Sequence, residues 1–539
     1  MLRSVCLNEI RERTAPWDIV VVGGGATGVG IALDAASRGI EVLLLEQSDF
    51  GKGTSSRSTK LVHGGVRYLQ QGNITLVRDA LRERKLLLNN APHLVHDMPF
   101  LIPCQSQWQR FYYGFGLKIY DLLATRSSFG RSHGVSTDKA KWHVPTVKQD
   151  LLRGGVIYHD GQFDDARLLI SMMRTAQTQG AVLANYVAVT SLHKDDQGKI
   201  IGVNATDQET SEPYEIAARC VVNAAGPFCD MIRTLDEKGC EPMLAASQGV
   251  HIVLPKSFFP GDTALIVPKT NDGRVIFVIP WHDHAIVGTT DTSITTVSLE
   301  PTANNDEIQF LLDTAAQYLE SAPTRDDVLS VFTGIRPLVK GDKSARTASL
   351  SRDHVIRISP SGLVTITGGK WTTVRKMAED CVDRVIAVTG MKVRPCQTKT
   401  LQLHGYSVRS ANSPRSFYGS DLVEIERLEA ASCELAEPLH PLLSVRGSDV
   451  VWAVRREMAR TVEDVLARRS RCLFLNAKAA LAIAPQVASI MAAELGQDAT
   501  WCDEQLVQFE ATARHYFVSN GTSCSSSSSS SVTEIAQSG

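Results

Sequence analysis

Gly23, Gly25 and Gly28 follow the apolar run Ile19-Val20-Val21-Val22 in the spacing Gly-x-Gly-x-x-Gly, and Glu46 ends the next apolar run, 18 residues past Gly28. Glycines so spaced let the backbone turn tightly and bring N–H groups against a pyrophosphate. An acid at the end of the second strand can accept from ribose hydroxyls. That chemistry is dinucleotide binding, and the motif leaves open which dinucleotide. Downstream, Gly53 to Lys60 supplies small donors (Thr54, Ser55, Ser56) and a cation, Lys60, before His63-Gly64-Gly65. Hydroxyls, a lysine and close backbone approach suit a second pass along a diphosphate and a flat ring. Gly368-Gly369-Lys370-Trp371-Thr372 comes after one more strand pattern and opens a helical one, which aims N–H groups at an anion.

The elements around these residues read as strand, helix, strand from Ile19 to Glu46, with Gly39 at the helix end. Unbroken β-branched and leucine runs suit parallel strands buried on both faces. Cys220 to Pro227 reads as another buried strand meeting a glycine turn. Two β-rich runs flank Asn271-Asp272-Gly273, a hairpin signal, so a meander is expected between Ala264 and Asp291. Asn412 to Gly419 is rich in Ser, Pro and Gly. Residues 421–518 show helical periodicity, and seven consecutive serines, Ser525 to Ser531, begin a polar end that cannot bury enough apolar surface to fold.

Composition excludes several classes. The 539 residues are 43% hydrophobic and 21% charged, with 56 Lys and Arg against 58 Asp and Glu and a formal charge of −2. That balance gives no general attraction to nucleic acid. Eleven cysteines without a C-x-x-C pair point to reduced thiols rather than a disulfide framework or zinc. The most apolar stretch, Ala479 to Ala493, is short for a spanning helix and is interrupted by Pro485. Met1 to Trp17 mixes arginines with Glu9 and Glu12, an ambiguous leader.

The chain resembles the aerobic, FAD-dependent glycerol-3-phosphate dehydrogenases, within the larger family of amine and hydroxy-acid flavin oxidoreductases. The resemblance rests on separated blocks: Gly23 to Gly28, Thr54-Ser55-Ser56 with Lys60 to Leu69, Asn223 to Pro227, and His251 to Leu254. Ile279-Pro280-Trp281, Gly288 to Asp291, Gly334 to Leu338 and Gly368 to Thr373 complete it, in order, from about residue 17 to residue 518. It implies an α/β fold in which a Rossmann-like FAD-binding domain is interleaved with a β-rich substrate domain, with a helical C-terminal domain after them. The expected boundaries are a leader at 1–16 and the two interleaved domains over 17–403, the substrate part mainly 90–155 and 240–350. A linker at 404–420, the helical domain at 421–518 and a disordered tail at 519–539 follow.

It also implies oxidation of sn-glycerol 3-phosphate at C2, FAD as cofactor, a membrane quinone as acceptor and peripheral attachment to a bacterial or mitochondrial inner membrane. A homodimer is compatible with it. An oxidase of the same substrate, or a silent flavin-binding scaffold, are the alternatives. For the cofactor it adds Val187, Gly226, Gly369, Trp371 and Thr372 to the residues above. Arg336 can grip two phosphate or alkoxide oxygens through its planar fork, and by resemblance Arg67, Tyr68, Arg352 and Lys370 line the same pocket. His251 is the candidate base, because imidazole titrates near neutrality. Whether it or water takes the C2 proton, with Arg336 steadying the alkoxide, is open. Trp108 to Leu123 puts aromatics at helical spacing, read equally as a core-facing helix or a membrane-interface one. The arginines between Arg455 and Arg471 read as an ion-paired helix surface. No D-x-D-x-D-G loop is present, so no calcium or other metal is expected.

Overall fold

The computed structural model describes residues 2–66, 69, 73–124, 129–268, 270, 274–340, 354–408 and 414–518. Arg67, Tyr68, Arg352, the Asn271-Asp272-Gly273 turn and the serine tail lie outside them.

Ile19–Val22 is one of the two central strands of a six-stranded sheet. Its neighbours Val42–Leu45 and Val221–Asn223 run parallel to it, as do Val182–Ala184 and Val364–Gly368 beyond them; His354–Ile358 closes one edge antiparallel. All four residues of Ile19–Val22 and of Val42–Leu45 are buried, as two-face coverage requires. Three helices, Ala26–Ser37, Asp165–Thr178 and Val374–Thr389, pack with this sheet in one core. Gly30 lets the first approach the other two: a methyl there would touch Ala378, Met172 and Val374.

A second, mostly antiparallel sheet carries the long strand Leu244–Pro255 beside Ser330–Val339 and His284–Gly288. Ala264–Val267 and Ile276–Trp281 pair antiparallel, as the meander reading expects. The chain crosses between the two sheets several times along its length, which is how distant sequence blocks come to share one site.

The C-terminal helices Gly447–Glu457, Ala477–Leu495 and Ala499–Ala513 share a core with Phe332 and Trp281 of the second sheet. Among the described residues Ala477–Leu495 is the one helix long and apolar enough to cross a membrane, and its buried face (Ala480, Ile483, Ala484, Val487, Met491) belongs to this core. Of the arginines of this region, Arg455 and Arg460 make the expected surface ion pairs, with Glu494 and Glu209, but three others differ. Arg468 and Arg469 are buried and both grip Asp49, Arg471 holds Asp164 at 2.8 Å, and Glu457 holds Arg167 at 2.6 Å. Arg468 also pairs locally with Glu463 and Asp464, but Asp49, Asp164 and Arg167 lie roughly 300 to 400 residues away in the chain, so these pairs fasten the helical region to the dinucleotide region.

Two other segments are more ordered than their composition suggests. The leader forms a helix, Arg3–Glu12, docked through Cys6, Ile10 and a 3.0 Å Arg3–Asp207 ion pair. Ser416–Asp421, inside the expected linker, forms a short helical turn that buries Phe417 and Tyr418. None of the described cysteines is disulfide-bonded.

Candidate active site

Gly25 caps the helix Ala26–Ser37 at the mouth of a cavity of about 400 Å³. The glycines here are dictated by contact. A Cβ at Gly28 would sit 1.9 Å from the Gly23 carbonyl oxygen, and one at Gly23, whose φ is +109°, 2.8 Å from that of Ala224. The Ala26 N–H donates to Ser55 Oγ at 2.9 Å. Glu46 lines the cavity and accepts from the N–H groups of Gly24 (2.6 Å) and Ser48 (2.9 Å). Thr54, Ser55, Val187, Gly226 and Gly369 complete the wall. A backbone cradle that any side chain would fill, at a helix N-terminus with an acid beside it, fits FAD; Gly23, Gly25, Gly28 and Glu46 would hold its pyrophosphate and ribose.

A second cavity of about 240 Å³ adjoins the first, sharing Thr54, Pro337 and the turn Gly368 to Trp371. Gly368 and Gly369 both have positive φ, +81° and +74°, and Trp371 Nε1 donates to the Ser55 carbonyl at 2.9 Å, tying the turn to the first cavity's loop. His63, His251, Arg336, Lys370 and Thr372 line this second chamber. The His63 N–H donates to Thr372 Oγ1 at 3.1 Å. Arg336 is fixed on four sides: Nη1 donates to the Gln248 carbonyl and to Asp291, both at 3.2 Å, and Nη2 to Thr289 Oγ1 (3.1 Å) and the Thr290 carbonyl (2.9 Å).

His251 is 2% exposed and stacks on Phe332, ring centroids 4.6 Å apart. Burial, with Arg336 and Lys60 nearby, holds its imidazole well below the ordinary value. It is therefore neutral at physiological pH, and able to accept a proton only transiently.

Several residues assigned to the cofactor by sequence stand elsewhere. Lys60 lines neither cavity; its Nζ is fully buried between Asp165 (2.8 Å) and the Ser56 carbonyl (2.7 Å). Ser56 is buried behind it. Gly64 is needed for packing, since a methyl there would fall 2.2 Å from Tyr120 Oη, and its N–H donates to Asp160. Gly65 lines neither cavity, though its φ of +76° calls for glycine. Sequence reasoning gave Asp291, Thr289, Gly249 and Thr59 no role in the site, although Thr289 and Asp291 stand in one of the resemblance blocks. Gly249 was findable as a glycine in the middle of a strand pattern, which marks close approach by another group; here a Cβ would meet Arg336 Nη2 at 2.3 Å.

Residues 18–375 match the FAD-dependent oxidoreductase family model, and residues 363–502 match the C-terminal domain of alpha-glycerophosphate oxidase. A probable mitochondrial glycerol-3-phosphate dehydrogenase of Caenorhabditis elegans is 40% identical over 526 residues, covering 92% of this chain and 72% of that one. A mitochondrial glycerol-3-phosphate dehydrogenase of Arabidopsis thaliana is 41% identical over 525 residues, covering 89% and 83%. The crystal structure of the glycerol-3-phosphate dehydrogenase from Bacillus halodurans complexed with FAD superposes with a TM-score of 0.77 at 32% identity, over 95% of this chain and 97% of that one. By the family match, the identity over nearly the whole chain and the shared fold, the chain belongs to the FAD-dependent glycerol-3-phosphate dehydrogenases.

Proposed function

We propose that the chain oxidises sn-glycerol 3-phosphate at C2 to dihydroxyacetone phosphate, with FAD taking the hydride and a membrane quinone re-oxidising it. The observation that carries this reading is the convergence of Arg336, Lys370 and His251 on one chamber that opens onto the dinucleotide cradle. When bound, FAD supplies the two-electron sink. The chain's own residues do the rest. Lys370, joined by Arg67, Tyr68 and Arg352 on the strength of the resemblance, holds the phosphate dianion, while Arg336, whose Nη hydrogens are donated to the protein rather than free to grip two oxygens, contributes a fixed positive charge beside the developing alkoxide. His251, neutral and stacked, is the base for the C2 hydroxyl. Binding at the phosphate orients C2 toward the shared wall, so part of that binding energy appears as rate.

The test is anaerobic addition of glycerol 3-phosphate to the purified flavoprotein. Bleaching of the flavin absorbance, reversed by a soluble quinone, is expected; glycerol should be worse by about 10³-fold, the loss of two charge-assisted contacts at roughly 2 kcal/mol each. An unbleached protein, or equal efficiency with glycerol, would overturn the reading. Rapid oxygen uptake in its place would make the chain an oxidase.

Support for a membrane-borne acceptor comes from the helix Gln107–Ala124. Its inner face is Leu117, Tyr120 and Ala124, while Trp108 (72% exposed), Phe111, Tyr112, Phe115 (62%) and Leu122 (73%) face outward. A core-facing helix would show the reverse. A contiguous apolar stripe on a helix surface suits the acyl boundary of a bilayer, so the chain sits peripherally on an inner membrane, a mitochondrial one by its likeness to the mitochondrial relatives. Phe111→Glu/Phe115→Glu should weaken vesicle binding by about 10²–10⁴-fold, since two phenyl groups contribute roughly 1.5–3 kcal/mol each when buried. Co-sedimentation at wild-type levels by the folded variant would remove this helix from the membrane contact.

A further inference from the structure

His251 lines the second cavity but is only 2% exposed. Nδ1 is buried and has no partner among the described residues. One face is covered by Phe332, the planes 12° apart, and the Cδ2 edge closes on Gly288, where a methyl would lie 2.2 Å away. Nε2 is capped by the Thr59 hydroxyl, at 2.9 Å. Thr59 itself is half-buried and lines the cavity. A proton leaving a molecule in that chamber meets the hydroxyl first and the imidazole second.

We propose that Thr59 is a catalytic residue, its hydroxyl relaying the proton between the substrate's C2 hydroxyl and His251 Nε2. The proposal rests on the function above and deepens it. The balance is simple. The C2–O–H proton passes to Thr59 Oγ1 while Thr59's own proton passes to Nε2, so the hydroxyl is regenerated. The C2–H bond breaks with its electron pair leaving as hydride to oxidised FAD, and C2=O forms. The imidazole then returns one proton to solvent by the reverse path. Burial beside Arg336 and Lys60 keeps the ring neutral, and the relay uses the tautomer with its proton on Nδ1, which presents Nε2 as acceptor to Thr59.

This gives the buried lysine a purpose. The residues on both sides of Thr59 are fastened to one carboxylate: Ser58 donates to Asp165 through its N–H (3.1 Å) and Oγ (2.7 Å), and Lys60 Nζ through both oxygens at 2.8 Å. Lys60 also holds a left-handed φ of +63°, unfavourable for a side-chain-bearing residue by about 1–2 kcal/mol. The Asp165 clamp offsets that and leaves Thr59 no freedom to swing away from Nε2. Lys60 and Asp165 are thus positioning residues, acting through the hydroxyl between them.

The experiment uses the holoprotein with Thr59→Val, which keeps the shape and removes the hydroxyl, and Thr59→Ser, which keeps the hydroxyl. Three quantities are measured: flavin content, equilibrium binding of 3-hydroxypropyl phosphate (the substrate without its C2 hydroxyl), and the anaerobic flavin-reduction rate with glycerol 3-phosphate. Thr59→Val should slow reduction by about 10²-fold or more, within the usual range for general base catalysis. Its flavin content and analogue affinity should stay within about threefold, and Thr59→Ser should recover most of the rate. Adding His251→Asn to Thr59→Val should cost little more than the worse single change, as for groups acting in series. Wild-type reduction rates in Thr59→Val, a Ser variant as slow as Val, a multiplicative double variant, or loss of flavin from Thr59→Val would each overturn the relay. A wild-type protein that does not bleach would overturn the function itself, a separate and recognisable failure.

Discussion

Arg336→Met should lower kcat/KM for glycerol 3-phosphate on the order of 10³-fold with flavin content unchanged. The guanidinium is already committed to Asp291, Thr289, and the Gln248 and Thr290 carbonyls before any substrate arrives, so its plane is set in advance and little ordering is paid on binding. Its removal does two things. It deletes a cation from the chamber, and it leaves the Asp291 carboxylate uncompensated beside the place a dianion must occupy. Removing one preorganised group that steadies developing charge typically costs about 2.7–4 kcal/mol, which is roughly 10²–10³ in rate. The second contribution is separable. Arg336→Met/Asp291→Asn should recover at least about tenfold over the single variant, because the stranded anion is gone. Arg336→Lys, which keeps the charge but cannot make the four bonds that fix its position, should stay down by about 10²-fold. Steady-state rates with a soluble electron acceptor decide it; a double variant no better than the single would mean that Asp291 does not face the substrate.

The same arginine shows which signals reach the sequence. Residue type and a neighbouring glycine single out Arg336, yet Asp291 and Thr289 are visible only once Ser330–Val339 and His284–Gly288 are both paired to Leu244–Pro255. The dinucleotide cradle was legible because its determinants are local: a strand buried on both faces, a turn only glycine can make, a helix start. Lys60 was not, because its partner Asp165 lies 105 residues away, and a lysine in a Ser/Thr-rich loop has the composition of a phosphate contact. Burial of Arg468 and Arg469 escaped for the same reason: their carboxylate, Asp49, belongs to the loop after Glu46. For the helix Gln107–Ala124 the periodicity was plain but its orientation was not. Spacing says that aromatics share a face; only packing of Leu117 and Tyr120 inward says that this face is the outer one.

Gly28→Val should give a protein that purifies without flavin, its affinity for FAD reduced by more than about 10³-fold. The position allows no compromise. A Cβ there would lie 1.9 Å from the Gly23 carbonyl oxygen and 3.1 Å from its carbon, both of them backbone, so no side chain can swing aside. Either the helix Ala26–Ser37 moves away from the strand Ile19–Val22 or the turn between them opens. Both outcomes withdraw the N–H groups that would meet the pyrophosphate, and an anion held by a helix terminus depends on their alignment within the first turn. The added methyls also overfill a junction of the core, costing about 1–3 kcal/mol, so a lowered melting temperature should accompany the loss of colour. A control separates flavin loss from general damage. Gly114 lies in the outward-facing helix with open space around its Cα, and Gly114→Ala should keep both the yellow colour and the melting temperature, or raise the latter slightly. The ratio of flavin to protein absorbance, with thermal melts of each variant, is the measurement. A yellow Gly28→Val protein would mean that the cradle does not bind the diphosphate, and the assignment of the first cavity would fall with it.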